Sequence, residues 1–514
     1  MTLTQKAKPA LMTRRSIILI GFIILKFALQ SILISPEYEL QRDEYLHLDQ
    51  AHHLAWGYLS VPPVTSWISY LISISGNTIF LIKFFPALFG ALTIWVVWKT
   101  IEELNGNLFA LILGATCVLF SVLLRLNTLY QPNSPDVLCW TALYFCIIKY
   151  INSEKQKWLF AGAMVFALGF LNKYNIVFLI LGFIPALLIT QQRKLLTQKQ
   201  FYLAILLGLL FILPNLLWQY NNNFPIIHHM KELSNKQLVN VDRWGFLRSQ
   251  LLFFIGSLFV IISGLYALLF YKPFQKYRSF FWTIIFTLSI FIYFKAKDYY
   301  AIGVYPVYIA FGSVFLSNIL RRNLQPLAVL VPVLFFIPMY QLSFPNKSPE
   351  YILMHEHKYK QLGLLRWEDG KDHPLPQDYA DMLGWKELAR KVDSIYSGLS
   401  EPNTTLVLCD NYGQAGAINY YTKKGIKASS FSADYINWFN LDRQYTNLIR
   451  VKNYKDRDDE LKVSSPYFHA SLVADSITNQ YAREYGTTIF VFTGAKIDIR
   501  ERIINEIAEV KSGH

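Results

Sequence analysis

From residue 16 to residue 343 the chain is a succession of apolar runs of roughly 17–22 residues, the length that crosses the hydrocarbon core of a bilayer. That one feature constrains the fold more than any motif. In lipid a backbone N–H or C=O has no water to bond, so each run closes its own hydrogen bonds as a helix. The runs lie near 16–35, 79–98, 108–124, 136–151, 158–172, 174–190, 201–219, 250–270, 280–295, 300–318 and 325–343, about eleven in all. The fifth and sixth meet at Asn172-Lys173-Tyr174, the least distinct boundary. The first run lacks a small-residue cleavage site and reads as a retained span rather than a signal peptide. Only 16% of the residues are charged, where a soluble domain carries about a quarter. The expectation is a polytopic all-α membrane domain over 1–344, with a first outer loop at 36–78, followed by a soluble α/β domain over 345–514.

A net charge of +14 would suit a nucleic-acid partner, but the placement of the basic residues argues against one. With the N-terminus inside, the cytoplasmic segments hold Lys6, Lys8, Arg14 and Arg15, then Lys155 and Lys157, then Arg193, Lys194 and Lys199. Lys272, Lys276, Arg278, Arg321 and Arg322 follow on the same side. The opposite loops are longer yet poorer in Lys and Arg, which is the positive-inside pattern. A multi-pass protein of the plasma (inner) membrane is expected, with its N-terminus cytoplasmic and, after an odd number of spans, its C-terminal domain extracytoplasmic. Cys117, Cys139 and Cys146 fall in apolar runs and Cys409 alone lies in the soluble part, so that domain is expected to fold without an internal disulfide.

Past residue 345 the pattern alternates. A helix is expected over Trp385 to Tyr396, then an apolar run over Thr405 to Cys409, and a further helix over Gly413 to Tyr421. Strand-like runs follow at 446–451, 467–473 and 487–493, then an amphipathic helix from Ile497 to Val510. Strands alternating with helices predict a small α/β domain.

The first outer loop is too long to be a mere connector. From Glu44 to Trp56 the positions Tyr45, Leu48, His52 and Ala55 recur at helical spacing, predicting an amphipathic helix lying at the membrane interface and ended by Gly57. Pro62-Pro63 then turns the chain into a second short helix around Trp67 to Ile74. Asp43 and Glu44 begin the first of these helices, where capping of its dipole is the plain alternative to chemistry. Asp136, Lys173, His228, His229, Lys295, Lys297 and Asp298 gather at the same predicted face. At span ends single ionisable residues snorkel at little cost; their joint placement is the stronger signal. Lys26 lies deeper, where a partner carboxylate and snorkelling are the competing accounts.

Asp43-Glu44-Tyr45, with Leu54-Ala55-Trp56-Gly57-Tyr58 and Pro62-Pro63, resembles the first-loop signature of bacterial relatives of the dolichyl-phosphate-mannose protein mannosyltransferases. That group includes the aminoarabinose transferases that modify lipid A and has the GT-C glycosyltransferase fold. Pro135-Asp136, Gly169-Phe170-Leu171-Asn172-Lys173-Tyr174, Pro214-Asn215-Leu216-Leu217-Trp218 and Lys297-Asp298-Tyr299-Tyr300 resemble further motifs of the group. So does Asp410-Asn411-Tyr412-Gly413-Gln414-Ala415-Gly416-Ala417 in the outer domain. The resemblance implies inverting transfer of a sugar from a polyprenyl-phosphate donor to a glycan, lipid or protein acceptor. It assigns the general base to Asp43 and matches Asp136 to the family's second acidic position, which orients the site or helps to bind a metal; Glu44, beside Asp43, is a further catalytic candidate. A departing phosphate needs cationic or metal stabilisation. Lys173, Lys297 and Tyr300 are the candidates for holding the donor phosphate. His228 and His229 are candidates for acceptor contact or for ligating a divalent metal ion. One departure stands out: where aminoarabinose transferases carry Glu-Lys before Pro-Pro, this chain has Ser60-Val61, so neither their metal nor their lipid A acceptor carries over. A lipid or glycan transporter or flippase is the first alternative; it would place polar, broken spans at the midplane in paired halves. A non-catalytic membrane scaffold is the second, and it leaves Asp43, Asp136 and Lys173 without a task.

Overall fold

The structure is a computed structural model that describes residues 13–236 and 238–512; Lys6 and Lys8 lie outside them. Every apolar run contains a helix: Arg14–Ile32, Ile79–Glu103, Leu108–Leu119, Asn133–Ser153, Lys157–Asn172, Val177–Leu188, Lys199–Asn221, Leu258–Phe270, Arg278–Tyr293, Pro306–Ile319 and Gln325–Leu342. Their outer faces are apolar. Helix Lys199–Asn221 exposes Leu206, Leu209, Leu210, Leu213 and Leu217, while it buries Gly208, Asn215 and Gln219. That inversion of the water-soluble pattern is what a lipid solvent selects, because polar groups there must bond to protein.

Few of these helices are straight spans. Among the described residues four are long and apolar enough to cross unaided, Arg14–Ile32, Ile79–Glu103, Lys199–Asn221 and Arg322–Leu342, and three bent pairs bring the number to seven. Length and composition alone thus mark four to seven spans, and the eleven helices of the apolar runs are consistent with the polytopic membrane domain expected. Leu108–Leu119, with 12 residues, is one of the short ones. It stops because Ser121 caps a separate turn, Val122–Leu126, through its Oγ and the Leu123 N–H. The run predicted at 300–318 begins as a 3-10 turn, Asp298–Val304, bent 47° from Pro306–Ile319. Lys26 is buried, but its ammonium donates to Gln30 Oε1 at 2.6 Å, one turn along the same helix, rather than to a carboxylate.

The outer domain is a five-stranded mixed sheet. Its strands are β1 (Thr405–Cys409), β2 (Ala428–Ser430), β3 (Asn447–Lys452), β4 (Phe468–Ser476) and β5 (Thr488–Ala495), in the order β2-β1-β3-β5-β4. β1 pairs in parallel with β2 and β3, whereas β5 runs antiparallel to β3 and β4. Strand alternation divides the core. Val407, Ile449 and Ile489 pack with Trp385, Leu388 and Ile418 on one face; Leu406, Leu408 and Phe492 pack with Ile499 and Ile503 on the other.

The first face of that sheet also receives the first outer loop. Tyr38, Leu40, Tyr45, Leu46 and Leu48 belong to the same apolar cluster as Tyr379, Trp385, Ala415 and Tyr435. The loop helix is Arg42–Asp49, continued by a 3-10 turn to His52. The predicted amphipathic surface helix is therefore corrected twice. It ends at His53 rather than Gly57, and it is covered by the outer domain, with Glu44, Tyr45, Leu46, His47 and Leu48 all buried. Five consecutive buried residues are more than one apolar stripe provides, so partners on both sides are required.

Candidate active site

The start of helix Arg42–Asp49 is set by a capping box. Gln41 Oε1 accepts the Asp43 N–H at 2.9 Å, and Glu44 Oε2 accepts the Gln41 N–H at 2.6 Å. This separates the two adjacent carboxylates. Glu44 has no exposed surface, and its Oε1 also accepts from Lys83 Nζ at 2.7 Å and from the Tyr130 N–H at 2.6 Å. Its acceptor positions are taken by the scaffold, so it pins the loop to the spans. Asp43 is only partly buried, and its oxygens face two different parts of the protein. Oδ1 accepts from Tyr412 Oη of the outer domain at 2.7 Å, and Oδ2 accepts from Gln131 Nε2 at 3.2 Å.

Gln131 begins a chain of amides. Its Oε1 accepts from Asn133 Nδ2 at 2.9 Å, and Asn133 Oδ1 accepts from Lys173 Nζ at 2.7 Å. Asp43 is thereby joined to Lys173 through two side chains, each partly open to the surface. Lys173 occupies the extended residue between helix Lys157–Asn172 and the turn Tyr174–Ile176, and its ammonium lies 4.4 Å from the Tyr300 ring centre and 5.1 Å from that of Tyr299.

Asp136 is brought to the same wall but buried inside it. Its carboxylate accepts from Trp140 Nε1 at 3.0 Å and from Asn175 Nδ2 at 2.9 Å, and Asn175 Nδ2 also donates to the Tyr300 carbonyl at 2.9 Å. Asp136 thus holds the segment that carries Tyr300. Lys297 is engaged with Glu368 Oε1 at 2.5 Å, an ion pair between a span junction and the outer domain. The two histidines part company on helix Pro225–Lys236. His228 is exposed, whereas burial holds the His229 imidazole below its ordinary pKa. Among the described residues no three His, Cys, Asp or Glu side chains gather in a way that fits a metal ion.

Sequence reasoning passed over Gln131, Lys83 and Arg42. Gln131 directly precedes the Pro132-Asn133-Ser134-Pro135 segment, and that position was its one legible signal. The outer domain is further tied down by Arg125, whose Nη2 is 2.8 Å from Asp378 Oδ2; within the domain Arg483 pairs with Asp381 at 3.1 Å. Asp381 is buried, and its carboxyl is pushed up from 3.8 to about 7 by that burial, which outweighs the pull of Arg483 and Arg42; Asp43 and Asp378 add like charge. A carboxyl with a raised folded-state pKa contributes stability that is complete below about pH 4 and is lost as the pH rises to about 7. Asp381→Asn removes that loss. Its melting temperature relative to the unsubstituted protein is expected to climb between pH 4 and pH 7 and to level off above; a pH-independent difference in thermal unfolding would refute it.

Residues 60–218 match the family described as dolichyl-phosphate-mannose-protein mannosyltransferase. The matched segment contains Asp136 and Lys173 but neither Asp43 nor Tyr300. No curated protein matches the sequence. Two crystal structures of ArnT from Cupriavidus metallidurans resemble the whole chain at 13% identity. The apo structure superposes with a TM-score of 0.63, covering 93% of this chain and 98% of the other. The second, bound to undecaprenyl phosphate, gives 0.59 and covers 92% and 97%. The chain thus has the GT-C fold of ArnT over more than nine-tenths of its length, and within it a segment that matches the mannosyltransferase family.

Proposed function

We propose that this protein transfers a sugar from a polyprenyl-phosphate carrier to an acceptor hydroxyl on the extracytoplasmic side of the plasma (inner) membrane. The observation that carries the reading is the hydrogen-bonded chain from Asp43 through Gln131 and Asn133 to Lys173, which sets a partly open carboxylate and an ammonium at one face. Glycosyl transfer uses that pairing of opposite charges. Asp43 takes the proton of the acceptor hydroxyl as its oxygen bonds to the anomeric carbon, and the bond from that carbon to the phosphate oxygen breaks. The electron pair leaves with the carrier phosphate, whose charge Lys173 meets. Attack opposite the leaving group inverts the anomeric centre. Tyr300, beneath Lys173, steers the ammonium, and Asp136 holds the Tyr300 segment in place. Lys297 is occupied by Glu368 and is better suited to docking residues 345–514, the proposed extracytoplasmic domain, onto the spans.

The undecaprenyl phosphate in the ArnT structure supports a lipid-phosphate carrier. The basic loops support a cytoplasmic N-terminus. Mass spectrometry of envelope glycolipids and glycoproteins from a deletion strain tests the reading. An unused polyprenyl-phosphate sugar is expected to accumulate as one glycoconjugate disappears; an unchanged set of glycoconjugates would sink it. Lys173→Met should weaken binding of undecaprenyl phosphate about tenfold to a hundredfold, the range for one hydrogen bond to a charged group. Titration of the purified variant measures this, and undiminished affinity removes Lys173 from the phosphate site.

A further inference from the structure

We propose that the outer domain completes the active site by supplying Tyr412, a positioning residue that clamps the Asp43 carboxylate from the side opposite the membrane spans. The proposal rests on the reading of Asp43 as the general base. One carboxylate oxygen is held by Gln131, which leads into helix Asn133–Ser153, and the other by the Tyr412 hydroxyl at 2.7 Å, across 369 positions of sequence. Neither half of the molecule alone fixes the direction in which Asp43 points. A base must lie within hydrogen-bond reach of the proton it takes, so the side chain that fixes its rotamer controls its rate.

Tyr412 is itself built to hold still. It opens helix Tyr412–Tyr421, whose cap Asn411 accepts the Gln414 N–H at 3.0 Å. Gln414 Nε2 donates to Glu484 at 2.7 Å and to Asn453 at 2.7 Å, and its Oε1 accepts the Asp410 N–H at 3.0 Å. Arg42 stacks its guanidinium 4.4 Å from the centre of the Tyr412 ring. The approach of the two helices depends on glycine. A Cβ at Gly413 would stand 2.7 Å from Arg42 Cγ, and one at Gly416 would stand 2.7 Å from Tyr45 Cβ. Those glycines let the outer helix come close enough to the loop helix for the hydroxyl to reach. At the far end of the contact Asn419 Nδ2 and Tyr435 Oη both donate to Asp49, so the loop helix is gripped along its length by the outer domain.

Tyr412→Phe keeps the ring, its packing and the stacked arginine, and deletes one hydroxyl. Turnover is read in membranes of the deletion strain carrying each variant, as consumption of the accumulated polyprenyl-phosphate sugar. Carrier binding and thermal unfolding are read on purified protein with undecaprenyl phosphate. The expected result is a kcat lowered about tenfold to a hundredfold, the range of a hydrogen bond to a charged group, with undecaprenyl phosphate affinity and melting temperature unchanged. In an Asp43→Asn background Tyr412→Phe should cost little more, because the two residues act as one unit. Full turnover by Tyr412→Phe, with Asp43→Asn inactive, overturns the positioning role and leaves the assignment of Asp43 standing. Full turnover by both variants overturns that assignment and this proposal with it. A loss of turnover matched by loss of carrier affinity and early melting reduces Tyr412 to an interface contact, which also overturns it.

Discussion

Asn in place of Asp43 lowers turnover by about 10²–10⁴-fold while leaving the binding of undecaprenyl phosphate in place, the range expected when a general base is removed. The substitution preserves shape. The amide oxygen of Asn still accepts the Tyr412 hydroxyl, and the capping box that fixes the backbone belongs to Gln41 and Glu44 rather than to the side chain lost. What disappears is the capacity to take a proton, together with the acceptor for Gln131 Nε2, which an amide nitrogen cannot replace. Lys173 and Tyr300, on the phosphate side, are untouched, so carrier affinity and turnover should separate cleanly. Retained turnover in Asp43→Asn would refer the chemistry to another residue and remove the basis of the proposed mechanism.

Lys83→Met should lower stability by about 3–5 kcal/mol, because it strands a carboxylate that has no route to water. Glu44 is fully buried, and Lys83 supplies its neutralising charge through contacts of 2.7 and 2.9 Å while also donating to the Thr128 carbonyl at 3.1 Å. The remaining donors, the N–H groups of Gln41 and Tyr130, carry no full charge. Thermal unfolding in detergent reads the effect. Melting at the temperature of the unsubstituted protein would show that Glu44 is not the anchor its contacts make it.

The membrane helices and the outer sheet were legible because their signals are periodic. A lipid-length run admits one backbone solution. The apolar run at Thr405–Cys409 and the strand-like run at 487–493 are where the structure places β1 and β5. β2 was missed: Ala428–Ser430 is three residues long and has no apolar alternation to see. The break at Ser121, which caps a separate turn inside an apolar run, was not legible, since hydropathy does not register a local hydrogen bond. The loop helix illustrates a second limit. Tyr45, Leu48 and His52 lie at interface-helix spacing, but the same spacing serves a helix covered by another domain, and the covering residues lie more than 300 positions away. Among the candidate site residues, Asp43, Lys173, Tyr300 and Asp136 are linked by hydrogen bonds or ring contacts, whereas Glu44 is turned into the scaffold and His228 faces out. Motif spacing cannot tell which of two adjacent carboxylates is turned into the scaffold. The capping box decides that.

The shared core of the first loop and the outer domain also imposes a timetable on biosynthesis. Tyr45 meets Tyr421 across 376 positions. At about 5–20 residues per second the loop therefore emerges roughly 20–75 s before its partner exists. Throughout that interval Tyr38, Leu40, Leu46 and Leu48 have only the early part of their cluster, such as Ile72, Ile82 and Tyr130, to pack against. Asp43 is among the first parts of the protein to be made and, through Tyr412, among the last to take its final position.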